Sequence, residues 1–103
     1  MPQAHPPSEP VPPAPLTQSE AEIIKRIVHR FYGDDAVIRN YGPDPRRLCV
    51  HVETEMHPGM ERDDCLGLLM CEIARDQISL DVTKRGTRAR GNAKLAYRQG
   101  EVI

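Results

Sequence analysis

Aromatic residues are scarce in this chain, which has no tryptophan, one phenylalanine and three tyrosines among its 103 residues. Aromatic rings supply much of the buried area of a small core, so this core must consist of aliphatic side chains. A domain of this size buries roughly 60–65% of its unfolded surface, which leaves it modestly stable. Self-association would add burial, and we therefore expect a homodimer or a complex with another protein.

Long apolar runs, export signals and paired cysteines are also missing. No stretch approaches the roughly 18 consecutive apolar residues of a membrane span, and no basic residue followed by an apolar run marks a secretory signal near Met1. Cys49, Cys65 and Cys71 form an odd set without the spacing of a disulfide scaffold. Free thiols fit a reducing compartment, so we expect a cytoplasmic protein with no membrane contact.

Proline is unevenly distributed, because residues 1–16 hold seven of the ten prolines. Proline fixes φ and lacks a backbone N–H, so this stretch cannot form a helix or a central strand. The composition predicts a disordered proline-rich tail over residues 1–16 and a single α+β domain over residues 17–103.

The domain begins with a helix predicted over Gln18–Tyr32. Thr17-x-x-Glu20 is a capping box, and Gly33 can adopt the left-handed conformation that ends a helix. Apolar residues recur at helical spacing between these signals and form one stripe: Ile23, Ile24, Ile27, Val28 and Phe31.

The remaining segments predict strands around a second helix. Turn residues over 42–45 and 57–59 separate the segments, and alternation of apolar and polar residues marks the strands. The predicted strands cover residues 36–41, 47–55, 77–84 and 93–98, the last resuming at 101–103, and the second helix covers residues 61–75.

The predicted element order is αββαββ. Two hairpins would join into one four-stranded antiparallel sheet, with two helices on one face of it. Moving the first strand of a ferredoxin-like βαββαβ sandwich to its end gives the same order. That analogy concerns the fold alone and carries no function.

The loop over residues 84–94 is the most basic segment. Its cations and one just beyond it are candidates for binding nucleic acid or another anion, because arginine binds phosphate in a bidentate manner: Lys84, Arg85, Arg88, Arg90, Lys94 and Arg98. Only Tyr97 could stack on a base nearby, and the sequence pI of about 6.4 is low for a nucleic-acid-binding domain. The alternative is a solvated loop whose charges protect a sheet edge.

Four residues are weak candidates for metal ligands: Cys49, His51, His57 and Cys65. Zinc accepts cysteine and histidine, but the chain lacks a C-x-x-C pair or any second pair at ligand spacing. The alternative places His51 on a solvated sheet face and His57 in a turn. We therefore expect neither a metal nor another cofactor.

No catalytic motif is present, including Gly-x-Gly-x-x-Gly and the P-loop. Cys65, near a helix start, is the one nucleophile candidate, but Asp63 and Asp64 disfavour its thiolate. We expect no catalytic residues and no enzymatic activity. The leading hypothesis is a non-catalytic interaction domain for another protein or a second copy. A weak nucleic-acid-binding module is the alternative, and an enzyme or metal-binding protein ranks third.

Overall fold

The computed structural model describes residues 13–55, 59 and 61–103. Along the chain the elements are α1 (Gln18–Tyr32), β1 (Val37–Asn40), β2 (Arg47–Thr54), α2 (Glu61–Glu72), β3 (Gln77–Lys84), α3 (Asn92–Gln99) and β4 (Glu101–Val102). The strands form one sheet in the order β3-β2-β1-β4. The α+β class is confirmed, whereas the predicted sheet topology is not.

The first helix forms where the sequence predicts it. The Thr17 hydroxyl accepts a hydrogen bond from the Glu20 N–H at 3.1 Å, and the Glu20 carboxylate accepts one from the Thr17 N–H at 3.1 Å. Both bonds of the predicted capping box are therefore present. Gly33 follows the helix at φ 92°, a conformation that favours glycine.

The sheet is mixed, so the prediction of a purely antiparallel sheet is wrong. β1 pairs with β2 and with β4 in antiparallel fashion, but β2 and β3 are parallel along their whole length. Parallel neighbours need a crossover of a dozen or more residues, and α2 supplies it. Because the ferredoxin-like sheet is antiparallel, that analogy fails as well.

The strand predicted over residues 93–98 is instead the helix α3. Ala93, Ala96 and Tyr97 lie at i, i+3 and i+4, and they turn toward the sheet. Only Glu101–Val102 remains as a strand, and it pairs with β1. The element order is therefore αββαβαβ rather than αββαββ, and helices cover both faces of the sheet.

An aliphatic core lies between the sheet and the pair α1 and α2. Ile38, Val50 and Leu80 supply it from the strands, and Ile24 and Leu69 supply it from the helices. We call this side of the sheet the aliphatic face. Each fully buried aliphatic side chain contributes about 1.5–3 kcal/mol to the free energy of unfolding, so this layer dominates stability.

Residues 13–16, which the sequence assigns to the tail, contact the domain. The Ala14 N–H donates to the Gly42 carbonyl at 2.7 Å, and the Asn40 side-chain amide donates to the Ala14 carbonyl at 2.8 Å. Leu16 packs against the core. The prediction for residues 1–12 lies outside the described residues.

Within the part of the chain that the structure describes, no helix combines the length and the hydropathy that crossing a bilayer requires.

Candidate functional site

A polar cluster lies on the second face of the sheet, beneath α3. His51 is fully buried there, with its Nε2 atom 3.1 Å from the Thr83 hydroxyl and its ring edge-on to Tyr97 at a centroid distance of 5.1 Å. Burial lowers the pKa of His51, which favours the neutral ring. The expectation of His51 on a solvated face is wrong because α3 covers it. We call this side the polar face.

Ion pairs connect the polar face to the loop that follows β3. Arg39 pairs with Glu53 at 3.0 Å and lies over the Tyr97 ring at 4.5 Å. Burial raises the pKa of Glu53, but its hydrogen bond with Arg39 and the charge of that arginine outweigh burial and hold the pKa below its usual value. Arg85 contacts Glu53 at 3.4 Å and Glu55 at 2.5 Å.

Arg85 therefore has a structural use. Its guanidinium also donates to the Asp35 carbonyl at 3.1 Å, so it joins the end of β2 to the turn before β1. Lys84 is half-buried at the end of β3. Arg85 thus differs from the other predicted anion-binding residues in its carboxylate contacts, and Lys84 is less exposed than the remaining four.

Those four form one exposed group, which we call the basic surface: Arg88, Arg90, Lys94 and Arg98. Lys94 and Arg98 are four residues apart on the outer side of α3, where like charges repel each other. Among the residues that the structure describes, no carboxylate forms an ion pair with any of the four. The basic surface is therefore a set of cations without an ion-pair partner among the described residues.

Two depressions adjoin the basic surface, and Arg88 and Arg90 line both. The first, which we call the edge depression, has a volume of about 390 Å³ and is bounded by the last four residues of β3 and by Ala93. The second is wider, at about 670 Å³, and includes Lys94. Arginine side chains thus lie at the end of a strand, where a bound chain could contact charge and backbone together.

β3 is an edge strand whose outer side can be assigned. The Gln77 N–H donates to the Arg46 carbonyl and the Arg85 N–H donates to the Thr54 carbonyl, so the odd-numbered backbone groups face β2. By alternation, the backbone N–H and carbonyl groups of Ile78, Leu80 and Val82 point away from β2 and toward the open edge. Arg62 of α2 donates to the outward Leu80 carbonyl at 3.1 Å.

The metal candidates do not come together. Cys49 and His51 lie on the polar face, but Cys65 lies in the aliphatic core on the other side of the sheet, and His57 is outside the described residues. No group of three or more histidine, cysteine, aspartate or glutamate side chains is placed to hold a metal within residues 13–55, 59 and 61–103.

The thiol chemistry is unfavourable as well. Burial raises the pKa of Cys65 to about 11, so its reactive thiolate form is disfavoured near neutral pH. Cys71 is exposed on α2. Neither cysteine has a base placed for nucleophilic catalysis among the contacts of the described residues.

Sequence reasoning missed the polar cluster and the open edge of β3. The spacing of Ala93, Ala96 and Tyr97 was the signal for a helix that covers His51. The length of the segment between β2 and β3 was the signal for a crossover and thus for parallel pairing of the two strands, whereas the edge position of β3 follows from the strand order.

Comparison of the chain with protein-family models, with curated proteins and with solved structures finds no match.

Proposed function

We propose that this chain is a non-catalytic interaction domain that binds an acidic protein segment through the basic surface. The observation that carries the proposal is that these four neighbouring cations all lack an ion-pair partner within the described part of the chain. Six other arginines are matched by carboxylates, as in Arg26 with Glu72 at 2.6 Å and Arg75 with Glu20 at 2.7 Å. A partner with several acidic side chains would supply the missing charge.

Charge alone gives a weak complex. An exposed ion pair contributes at most about 1 kcal/mol, so four pairs supply at most about 4 kcal/mol. A micromolar complex requires about 8 kcal/mol. The partner must therefore also contact uncharged groups next to the basic surface.

Nucleic acid is the second candidate, and the same cations favour it, because arginine and lysine bind phosphate. The surroundings of Tyr97 argue against it. Arg39 covers one face of the ring, and His51 packs against it. Single-strand binders commonly need exposed aromatic rings for bases, so we rank nucleic acid below protein.

The homodimer stays a prediction. Its sequence-based reason was a thin aliphatic core, and α3 covers the sheet face that the predicted fold left open. Light scattering on the purified chain at high micromolar concentration tests it, and a monomer would contradict it.

The test of the proposed function is a charge reversal with a matched control. We expect Arg88→Glu/Arg90→Glu to weaken binding of fluorescent polyglutamate by at least about tenfold, equivalent to about 1.4 kcal/mol. Lys25→Glu/Arg30→Glu makes the same change in net charge at exposed positions of α1 and should bind as the unmodified chain does. Fluorescence anisotropy at low ionic strength measures both.

Three outcomes would contradict the proposal. The first is no binding of polyglutamate, and the second is an equal loss of affinity in the two double variants. The third is an affinity that stays unchanged when salt is added, because exposed charges are expected to be screened. Binding of single-stranded oligo(dT), without binding of polyglutamate, would favour the second candidate.

A further inference from the structure

The edge depression lies where the end of β3 meets the basic surface. Val82 packs its side chain against the core and also lines this depression. Asp81 and Thr83 border the same depression from the polar face. An extended chain lying in the edge depression would therefore run beside the outward N–H and carbonyl of Val82.

Arg62 divides the edge into two parts. Its guanidinium occupies the Leu80 carbonyl, in the manner of charged side chains that protect strand edges from pairing. The protection does not extend to Val82, which has the unpaired arginines Arg88 and Arg90 beside it. The end of β3 beyond Leu80 thus lacks this cover and lies beside positive charge.

We infer that an extended acidic segment binds by strand addition to β3 and enlarges the four-stranded sheet by one strand. The inference rests on the proposed function and specifies how the acidic partner is held. The partner's main chain pairs with the outward backbone groups of Val82, and its acidic side chains meet Arg88 and Arg90. These backbone hydrogen bonds supply the uncharged contacts that the complex needs in addition to its ion pairs.

The two sides of the edge also define the partner's side-chain pattern. Side chains of an added strand alternate between the two faces of the sheet. Those on the polar face meet Arg88 and Arg90, whereas those on the aliphatic face meet the flank of α2. Leu66 and Met70 follow Arg62 on that flank at i+4 and i+8, and Met70 is 61% exposed.

The partner is therefore an extended segment in which acidic residues alternate with apolar ones. A second copy of the chain fits this edge less well. Symmetric pairing of two β3 strands centred on Leu80 would bring the Arg62 side chains of both copies to the same place, and like charges there repel.

The experiment uses a proline substitution at each edge of the sheet. Val82→Pro removes an N–H that does not pair with β2, a position that edge strands tolerate. Val102→Pro does the same on β4, because the neighbouring Ile103 N–H is the one that donates to β1. The probe is an eight-residue peptide, the length of β3, that alternates glutamate with valine.

We expect Val82→Pro to weaken binding of the glutamate–valine peptide at least tenfold, and Val102→Pro to leave it unchanged. A peptide alternating lysine with valine should not bind. In the unmodified chain, the peptide should slow hydrogen exchange of the Val82 amide and leave that of Ile24 in α1 unchanged. The exchange measurement uses the unmodified chain, so it tests the inference even if Val82→Pro fails to fold. An unchanged Val82 exchange rate would overturn the inference.

The variants separate the two proposals. If Arg88→Glu/Arg90→Glu no longer binds the peptide while Val82→Pro still binds it, strand addition is overturned and the proposed function stands. If both variants still bind it, both proposals are overturned. If light scattering shows a dimer that Val82→Pro converts to a monomer, a second copy occupies the edge and the inference is overturned.

Discussion

The two faces of the sheet are built from different chemistry. On the aliphatic face, α1 and α2 enclose a continuous cluster of buried apolar side chains that includes Ile27, Val52 and Leu69. On the polar face, α3 covers His51 and an ion-paired Glu53 by means of two alanines and Tyr97. The first arrangement excludes water over a large apolar area, whereas the second covers polar groups with a short helix.

This difference separates stability from binding. The outer side of α3 and the loop before it carry Arg88, Arg90, Lys94 and Arg98, while exposed Arg26 on α1 is matched by Glu72 of α2. Unmatched surface charges lower stability slightly and favour a partner of opposite charge. We therefore expect core substitutions to change unfolding and substitutions on the basic surface to change binding.

The largest expected effect is on the aliphatic face. Leu69→Ala removes a fully buried side chain of α2 and leaves a cavity against the sheet. We expect the free energy of unfolding to fall by about 2–5 kcal/mol in urea titrations. A loss below about 1 kcal/mol would mean that this face is not the main source of stability.

On the polar face, the sensitive substitution is an enlargement. Ala96 is fully buried where α3 approaches the sheet, so Ala96→Leu forces the helix outward. Overpacking of this kind costs about 1–3 kcal/mol. The same urea titration measures this loss, and a variant as stable as the unmodified chain would show that α3 is loosely held.

A smaller effect is expected at the junction of α1 with the loop after α2. Arg75 donates two hydrogen bonds of 2.7 Å to Glu20, and they are the main reason that the pKa of Glu20 falls to about 2. We expect Glu20→Gln to cost about 1–2 kcal/mol at pH 7. The measurement is the free energy of unfolding of the unmodified chain and of Glu20→Gln between pH 7 and pH 2.

The pH dependence has a definite sign. Because the folded pKa lies below the unfolded value, the carboxylate stabilises the fold fully above about pH 4.5 and loses this effect as the pH falls toward 2. The difference between the unmodified chain and Glu20→Gln should shrink over that window. A difference that stays constant from pH 7 to pH 2 would contradict the ion pair.

The smallest effect is a gain in stability. A methyl group at Gly67 would meet no atom within 4 Å, so this exposed position of α2 has no need of glycine. Gly67→Ala should raise the free energy of unfolding by about 0.5–1 kcal/mol through helix propensity. Thermal melting measures this gain, and an unchanged or lowered midpoint would contradict the prediction.

Local signals in the sequence were enough for much of the fold. The capping box at Thr17 and the stripe of Ile24, Ile27 and Val28 specify α1, because helix ends and helical periodicity depend on residues close in sequence. β2 and β3 follow from alternation in the same way. These patterns also place Cys49 and His51 on one face of a strand.

Pairing between strands depends on groups that are distant in sequence, and it was predicted wrongly. Alternation tells which side chains of β3 face the core, but it is the same for parallel and antiparallel neighbours. In residues 93–98, Ala93, Leu95 and Tyr97 alternate with polar or small residues as in a strand. Ala93, Ala96 and Tyr97 also have the i, i+3, i+4 spacing of a helix. A segment this short does not decide between them by periodicity.

The candidate site was predicted in part. Runs of charge are visible in sequence, so the basic segment was found, but the carboxylates that neutralise Arg85 come from β2 and the residue after it, thirty-odd residues earlier. Which cations remain unmatched depends on these tertiary contacts. The neighbouring open edge of β3 depends on strand order in the same way.

The most direct test of the central claim is a nuclear magnetic resonance titration of the isotope-labelled chain with the glutamate–valine peptide. We predict amide shift changes over residues 82–98, with the largest at Val82, Arg88 and Arg90, and their loss in Arg88→Glu/Arg90→Glu. Shift changes that centre on α1, or none at peptide concentrations far above that of the chain, would contradict the account.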